Sequence, residues 1–259
     1  MFQTRPSLPE GVDIQQVYRD FIRFLYEAAH DCLLLTAFDG SEVWHRLKHN
    51  IVLVFAIPNA WEFEVQSMIR DAVSAANIGH SELQFVTEAE AAVHYALHRN
   101  GDADWLQIGT TFLVMDAGGS TVDLTLYTCM ATAPRLILKE AHIPICLQAG
   151  AIFVDYEMEK VLIKRLREMK FDMHDLTEIL ANLLTSFERD AKRRFDGTQE
   201  RLLANSGIFN LKHQGIVKGK LALTNGELKE AFDSPIGLII SQCQDVVRTP
   251  GQTVSVRTY

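Results

Sequence analysis

Two strand-forming runs joined by a double-glycine turn constrain this chain more than any other feature. Residues 111–128 read TFLVMDAGGSTVDLTLYT, with apolar and β-branched residues on both sides of positions 118–120. The pattern predicts a hairpin with strands Thr111–Ala117 and Thr121–Thr128. Paired glycines can adopt a positive φ and let backbone N–H groups approach an anion without a Cβ in the way. We therefore expect residues 118–120 at an exposed tip, with backbone N–H groups that an anion can approach.

The side chains around the turn have the chemistry of a phosphate site. Asp116 lies before Gly118 and Gly119, and Asp123 follows them. The hydroxyl of Thr121 can donate to a phosphate oxygen, while two carboxylates can hold Mg²⁺ through water. The layout predicts a phosphate loop on a β-hairpin. Composition alone leaves open the alternative of an ordinary hairpin with a glycine turn.

Four segments resemble motifs of one family and occur in the family's order. D-A-G-G-S-T-V-D-L resembles the second phosphate motif, D-x-G-G-G-T-x-D, of the actin-like ATPase superfamily in its 70-kDa heat-shock protein form. The divergent heat shock 70 kDa protein 12 subfamily is the most similar. The other matching segments are Val54–Ile78, Val86–Leu97 and Gln148–Leu162, so the resemblance covers roughly residues 10–247. It implies an α/β protein with a partial actin-like ATPase (ribonuclease H-like) fold of two lobes.

The resemblance also implies roles for individual residues. Glu88 matches the glutamate that positions Mg²⁺ and water near the γ-phosphate, although Ala89 follows it where the family usually has proline. Asp116 is implied as the second catalytic residue, and with Asp123 it is implied to hold Mg²⁺ through water. The implied contacts to ATP or ADP are Gly118, Gly119, Ser120, Thr121, Gly150, Lys192 and Arg193.

Three of these assignments have plainer alternatives. An acidic residue such as Glu88 in the first turn of a helix is also favoured by the helix dipole. The run E-R-D-A-K-R-R places the acid one residue further from lysine than the family's E-R-x-K-R, which predicts an (i, i+4) pair of Glu188 with Lys192 on a solvated face. Ser120 replaces the third glycine, so the turn either has another type or carries strain of about 1 kcal/mol.

The order of elements predicts two lobes. We expect the remaining part of lobe I in residues 1–109 and lobe II in 110–259, with a polar seam at 100–104. Lobe II would contain the hairpin, a helical and β subdomain at about 150–233 and a truncated part at 234–259. The polar sequence RTPGQTVSVRTY at the end predicts a tail.

Hydrophobic periodicity predicts several further elements. Val12–His30 has an apolar helical stripe that includes Val17, Phe21, Phe24, Leu25 and Ala28. Ile51–Ile57 is apolar throughout, which is typical of a strand buried on both faces. Pro235 predicts a break between two helices near Gly226–Phe232 and Pro235–Val247. The remaining predicted elements are a strand at Leu136–Glu140, long helices near Ala151–Phe171 and Asp175–Phe195, and a β-rich stretch at Ile208–Thr224.

Composition favours a cytoplasmic protein. The net charge of −8 argues against a nucleic-acid surface, and the longest apolar run is far too short for a membrane span. No secretory signal pattern is visible. The four cysteines lack C-x-x-C spacing and are expected to be reduced residues in or near a core.

Two family motifs have no counterpart in these 259 residues. The first phosphate loop, D-x-G-T-T/S, and the adenosine motif, L-V-G-G, are both missing from the sequence. The resemblance therefore predicts a fragment of a heat-shock-70-like ATP-binding domain, with ATP or ADP and Mg²⁺ as ligands and weak or no hydrolysis. The alternatives are a non-catalytic remnant or interaction module with an unknown protein partner, and a sugar- or acid-kinase relative.

Overall fold

The computed structural model describes residues 8–59, 61, 63–100, 105–169, 173–212, 215–248 and 254–255. The chain is mixed α/β and divides into two compact units, Met1–Gly101 and Asp102–Tyr259. Of the predicted seam at 100–104, only the backbone of Asn100 lies within the described residues.

A parallel strand pair organises the first unit. Its elements are α1 Ile14–Thr36, α2 Gly40–Leu47, β1 Val52–Ile57, α3 Phe63–Ala76, β2 Glu82–Thr87 and α4 Glu88–Asn100. β1 and β2 run parallel, with Ile57 opposite Thr87 at their carboxyl ends. A parallel pair needs a crossover connection, which α3 supplies. Both β1 and β2 therefore end at the same edge, where α4 begins.

The core of the first unit covers only one face of β1. Ile57 and the alternate residues Leu53 and Phe55 pack with Ile22 of α1 and with α3. Val52 and Val54, which point to the opposite face, are 45% and 58% exposed. The prediction of a strand buried on both faces is wrong, because alternate residues of β1 are exposed and the described sheet has just two strands.

Helix α1 is present but buries a different stripe from the one that the sequence indicates. Asp13 caps its start, since Oδ1 accepts a hydrogen bond from the N–H of Gln16 at 2.7 Å. Ile22 and its neighbour Tyr18 contact the core, whereas Phe21 and Phe24 are more than half exposed.

The second unit contains the hairpin and most of the buried apolar side chains. Its strands are β3 Thr111–Ala117, β4 Val122–Ala131, β5 Ile137–Glu140, β6 Ile145–Leu147, β7 Arg201–Asn205, β8 Ile216–Val217, β9 Lys220–Thr224 and β10 Val254–Ser255. Its helices are α5 Ala151–Glu168, α6 Met173–Ser186, a π turn Phe187–Ala191, α7 Lys192–Arg194 and α8 Asn225–Val247. One described sheet has the order β10-β3-β4-β5 with β6 also on β4, and the other has the order β7-β9-β8.

A large apolar core joins α5 and α6 to the β7-β9-β8 sheet and α8. On α5, Met158 and Leu162 recur at helical spacing and are fully buried. Leu183 of α6 and Leu223 of β9 join the same cluster. α5 is thereby held rigidly, which matters because its first turn contacts the hairpin.

The prediction of two helices separated near Pro235 is wrong. α8 is continuous from Asn225 to Val247, although Pro235 lies inside it. Proline removes one helical hydrogen bond, but Pro235 is buried and the helix is anchored on both sides of it by Leu228 and Val246. A capping box at Thr224 with Glu227 fixes the helix start.

Smaller differences concern strand ends and cysteines. The predicted polar tail contributes Val254–Ser255 as a strand parallel to β3, while the other residues after Arg248 lie outside the described part. Cys129 is buried as expected, but Cys32 and Cys146 are exposed. No helix within the described ranges is long and apolar enough to cross a lipid bilayer.

Candidate functional site

The predicted hairpin is confirmed, and its turn is exposed. β3 and β4 pair antiparallel from Thr111 opposite Thr128 to Ala117 opposite Val122. The four residues 118–121 connect them, and the N–H of the first donates to the carbonyl of the last at 2.9 Å. Residues 117–120 are exposed. We call residues 118–121 the tip loop.

The backbone of the tip loop decides between the two alternatives for Ser120. Gly118, Gly119 and Ser120 all have φ angles outside the left-handed region, so the turn is of another type and Ser120 carries no strain of that kind. A Cβ on Gly118 would lie 3.1 Å from the carbonyl oxygen of Thr121, which is a tight contact. A Cβ on Gly119 would meet nothing within 4 Å. Glycine at 119 therefore leaves open space over the loop.

The tip loop rests on the N-terminus of α5. The N–H groups of Gly150, Ala151 and Ile152 donate to the carbonyls of Ser120, Gly118 and Gly119 at 3.2, 3.1 and 2.9 Å. These donors are among those that an α-helix leaves without internal partners. The loop carbonyls thus cap α5, and the helix in turn fixes the orientation of three consecutive peptide groups.

Gly150 makes this contact possible. Its ideal Cβ would lie 2.5 Å from the carbonyl carbon of Ser120 and 2.7 Å from the carbonyl carbon and oxygen of Gly119. Real Cβ atoms do not approach backbone so closely, and here no flexible side chain can move aside. Gly150, which the resemblance assigns to the nucleotide, is therefore the residue that lets the tip loop sit on α5.

With its carbonyls occupied, the tip loop presents unused donors. The N–H groups of Gly119, Ser120 and Thr121 have no hydrogen-bond acceptor in the part of the chain that the structure describes. Successive backbone N–H groups in a turn can form a concave anion-binding feature. The loop is therefore suited to an anion such as phosphate.

Two carboxylates lie opposite each other directly below the loop. Asp116 on β3 pairs with Asp123 on β4, so both side chains are on the same face of the sheet. Residues opposed in this way have Cα atoms about 4.5–5.5 Å apart, and like charges there repel. Asp123 is 6% exposed, and its buried Oδ1 has no hydrogen-bond partner among the described residues.

This carboxylate pair is compatible with Mg²⁺. Mg²⁺ commonly uses one or two carboxylates and completes its shell with water and phosphate oxygens. The unpaired Oδ1 of Asp123 and the opposed Asp116 supply such ligands and would lose their mutual repulsion. Among the described residues, no group of three or more His, Cys, Asp or Glu side chains is arranged to hold a metal by itself.

Glu88 belongs to the first unit and opens α4 directly after β2. The hydroxyl of Thr87 accepts a hydrogen bond from the N–H of Glu90 at 3.2 Å, which caps the helix. Glu88 is therefore at the carboxyl edge of the parallel pair, where ligands bind in open α/β sheets. The tip loop belongs to the second unit. That Glu88 and this loop serve one site remains a prediction.

The basic run at 192–194 is organised by a π turn. Phe187–Ala191 form the turn, and the N–H of Lys192 bonds to the carbonyl of Phe187, five residues earlier. A π turn accommodates one additional residue in a helix, which corresponds to the longer spacing of E-R-D-A-K-R-R. The predicted Glu188–Lys192 pair is wrong, because Lys192 Nζ contacts Asp155 Oδ2 of α5 at 2.7 Å. Arg193 is exposed.

Sequence reasoning missed two residues of this region. Asp155, the partner of Lys192, lies within the Gln148–Leu162 segment, but the resemblance implies no role for it. Cys146 on β6 lies opposite Asp123, so the row Asp116, Asp123 and Cys146 crosses three strands. β6 is three residues long, too short to recognise from periodicity.

Comparison with known proteins adds no family assignment. No protein-family model matches the chain, and a search of curated proteins found no match. The structure itself shows a mixed α/β protein whose exposed hairpin loop has three backbone N–H groups without an acceptor among the described residues.

Proposed function

We propose that the tip loop binds the phosphates of ATP or ADP together with Mg²⁺, as a heat-shock-70-like ATP-binding domain would. The observation that carries this proposal is that the carbonyl groups of the loop are hydrogen-bonded while most of its N–H groups are not. Three carbonyls are held by the N-terminus of α5, and three N–H groups, those of Gly119, Ser120 and Thr121, remain available at an exposed turn.

Each side chain of the site has a role in this proposal. The hydroxyl of Thr121 donates to a phosphate oxygen beside the loop N–H groups. Asp116 and Asp123 hold Mg²⁺ through water, and the metal would neutralise phosphate charge. The resemblance assigns Glu88, which belongs to the first unit, to water near the γ-phosphate. Hydrolysis is weak or absent, since the sequence contains one phosphate loop and phosphoryl transfer depends on phosphates held from several sides.

Thermal or urea unfolding with MgATP tests the proposal. If Kd is on the order of 10 μM–1 mM, about 5 mM MgATP stabilises the protein by roughly 1–4 kcal/mol. Gly119→Val should remove this stabilisation, since a Cβ there meets nothing within 4 Å and the larger side chain occupies the open space above the loop. Gly237→Val on α8 is the matched control, because a Cβ there also meets nothing within 4 Å.

A comparison of wild type, Gly119→Val and Gly237→Val tests where the nucleotide binds. Stabilisation by MgATP in wild type and Gly237→Val, but not in Gly119→Val, supports the tip loop as the phosphate site. Equal stabilisation in all three proteins places the nucleotide elsewhere. No stabilisation of a folded wild-type protein at about 5 mM MgATP contradicts the proposal.

A protein-interaction module without nucleotide chemistry is the second candidate. The observation in its favour is an exposed apolar stripe on α1, where Val17, Phe21, Phe24 and Leu25 are 39–62% exposed. Contiguous apolar surface of this kind often marks a contact with another protein. Two results together would favour this candidate. The folded protein would not be stabilised by MgATP, and Phe24→Ser would lose self-association or partner binding.

A further inference from the structure

A lysine distant in sequence contacts the helical turn that holds the tip loop. Lys192 Nζ lies 2.7 Å from Asp155 Oδ2 and 3.5 Å from the carbonyl oxygen of Ala151. Both partners belong to the first turns of α5. The N–H of Ala151 in turn donates to the carbonyl of Gly118. Lys192 and the tip loop are thus attached to the same end of one helix.

The position of Lys192 is fixed from the opposite side by the core. It follows the π turn directly, and its N–H bonds to the carbonyl of Phe187. Phe187 and Ala191 are fully buried in the cluster that also holds α5 and α6. The lysine therefore reaches α5 from a rigid support, and its ammonium group is largely buried.

Asp155 depends strongly on this lysine. Its Oδ2 pairs with Lys192, while its Oδ1 is buried without a hydrogen-bond partner among the described residues. Burial raises the pKa of Asp155, which the bond from Lys192 partly offsets. A buried carboxylate that loses its partner is strongly destabilised. Removing the lysine charge would consequently disturb the first turns of α5 before it disturbs the rest of the core.

We propose that Lys192 is a positioning residue for the tip loop: through Asp155 and Ala151 it fixes the first turn of α5, which holds the loop carbonyls and leaves the loop N–H groups available. The resemblance assigns Lys192 to direct contact with the nucleotide, whereas its ammonium group is engaged with Asp155. The claim that this loop binds phosphate rests on the proposed function. The contacts by which Lys192 positions the loop are present without a ligand.

Amide hydrogen exchange of the ligand-free 259-residue protein tests the positioning. The N–H groups of Gly150, Ala151 and Ile152 report it directly, because they are the donors to the loop. Lys192→Met removes the charge and keeps much of the side-chain length, Lys192→Arg keeps the charge, and Arg193→Met is the control at the exposed neighbour. Amides of β9 serve as an internal reference for the core.

We expect Lys192→Met to speed exchange of the three reporting amides by about tenfold or more, with the β9 amides unchanged. Arg193→Met should behave as wild type, and Lys192→Arg should restore most of the protection. If Lys192→Met also speeds exchange of the β9 amides, Asp155→Asn provides a second test, because it keeps the shape of the partner side chain. Asp155→Asn should speed exchange of the three reporting amides and leave the β9 amides unchanged. Exchange at the three amides that is equal in wild type, Lys192→Met and Asp155→Asn overturns the proposal.

Nucleotide binding provides an independent comparison. Weaker MgATP binding in Lys192→Met, with unchanged exchange in the ligand-free protein, would mean that Lys192 contacts the nucleotide directly, and it contradicts a positioning role. Faster exchange at the three amides with no MgATP binding in wild type would support the positioning and refute the phosphate site.

Discussion

Asp116 lies directly opposite Asp123 across the β3–β4 pair, one residue pair before the tip loop. Strand pairing holds the two carboxylates on one face, and Asp123 is 6% exposed with an unpaired buried Oδ1. Opposed like charges destabilise a sheet. In the proposed site, Mg²⁺ reduces this repulsion.

Asp116→Asn should separate these two effects. In EDTA the variant should be more stable than wild type by about 0.2–1 kcal/mol, because one of two opposed charges is removed. With MgATP the order should reverse, since wild type alone keeps both carboxylates for Mg²⁺. Urea unfolding in the two buffers measures both values. A variant that is less stable in EDTA and unaltered in its response to MgATP would argue against a shared cation site.

Gly150→Ala should disrupt the contact between the tip loop and the first turn of α5. The new methyl group would lie 2.5–2.7 Å from backbone atoms of Gly119 and Ser120, so the loop or α5 must move. We expect a loss of about 1–3 kcal/mol in the free energy of unfolding. Gly237→Ala on α8 meets no atom within 4 Å and should be neutral or stabilise by about 0.5–1 kcal/mol. Equal stability of Gly150→Ala and wild type would show that the loop does not rest on α5 in solution.

The ionisation of Asp155 predicts a pH dependence of stability. Burial is the main cause that raises its pKa, Glu188 raises it further, and Lys192 opposes both. Because the folded-state pKa lies above the unfolded one, the contribution of Asp155 to stability is present at low pH and is lost as pH rises through the folded-state pKa. Wild type measured relative to Asp155→Asn should therefore lose stability between a pH of about 3.9 and the raised value. Unfolding curves at closely spaced pH values measure this, and a constant difference would contradict it.

Phosphate release should be at or near the spontaneous rate for this chain. The proposed function rests on a single phosphate loop, and in-line attack requires placement that one loop does not impose. Glu88→Gln should leave MgATP affinity within about twofold of wild type, since the resemblance gives Glu88 a role with water and not with binding. Fast steady-state hydrolysis would refute the first statement, and an MgATP affinity that falls well beyond twofold in Glu88→Gln would refute the second.

The hairpin could be predicted because its information is local. Two β-rich runs flank a short turn, and period-two pairing then fixes which side chains share a face. The same locality makes the helices α1 and α5 predictable from the sequence. The break predicted at Pro235 is wrong, because the packing of α8 outweighs the one hydrogen bond that proline removes.

The contacts that organise the site could not be predicted, because they join distant parts of the chain. From the sequence, Gly150 is assigned to a contact with the ligand. In the structure, the backbone of Gly119 and Ser120 lies against Gly150 and leaves no room for a side chain there. The longer spacing before Lys192 is visible in the sequence, but the choice of Asp155 over Glu188 depends on how the π turn packs against α5. Val54 shows the same limit, since strand composition does not tell which faces are covered.

Titration of the ¹⁵N-labelled protein with MgATP, followed by amide resonances, tests the phosphate site most directly. We expect saturable shifts of the Gly119, Ser120 and Thr121 amides, with a Kd on the order of 10 μM–1 mM, and loss of those shifts in Gly119→Val. The same three resonances should shift with MgADP. Saturable shifts elsewhere with these amides unmoved, or no shifts up to about 5 mM MgATP in a folded sample, would contradict the assignment of the tip loop as a phosphate site.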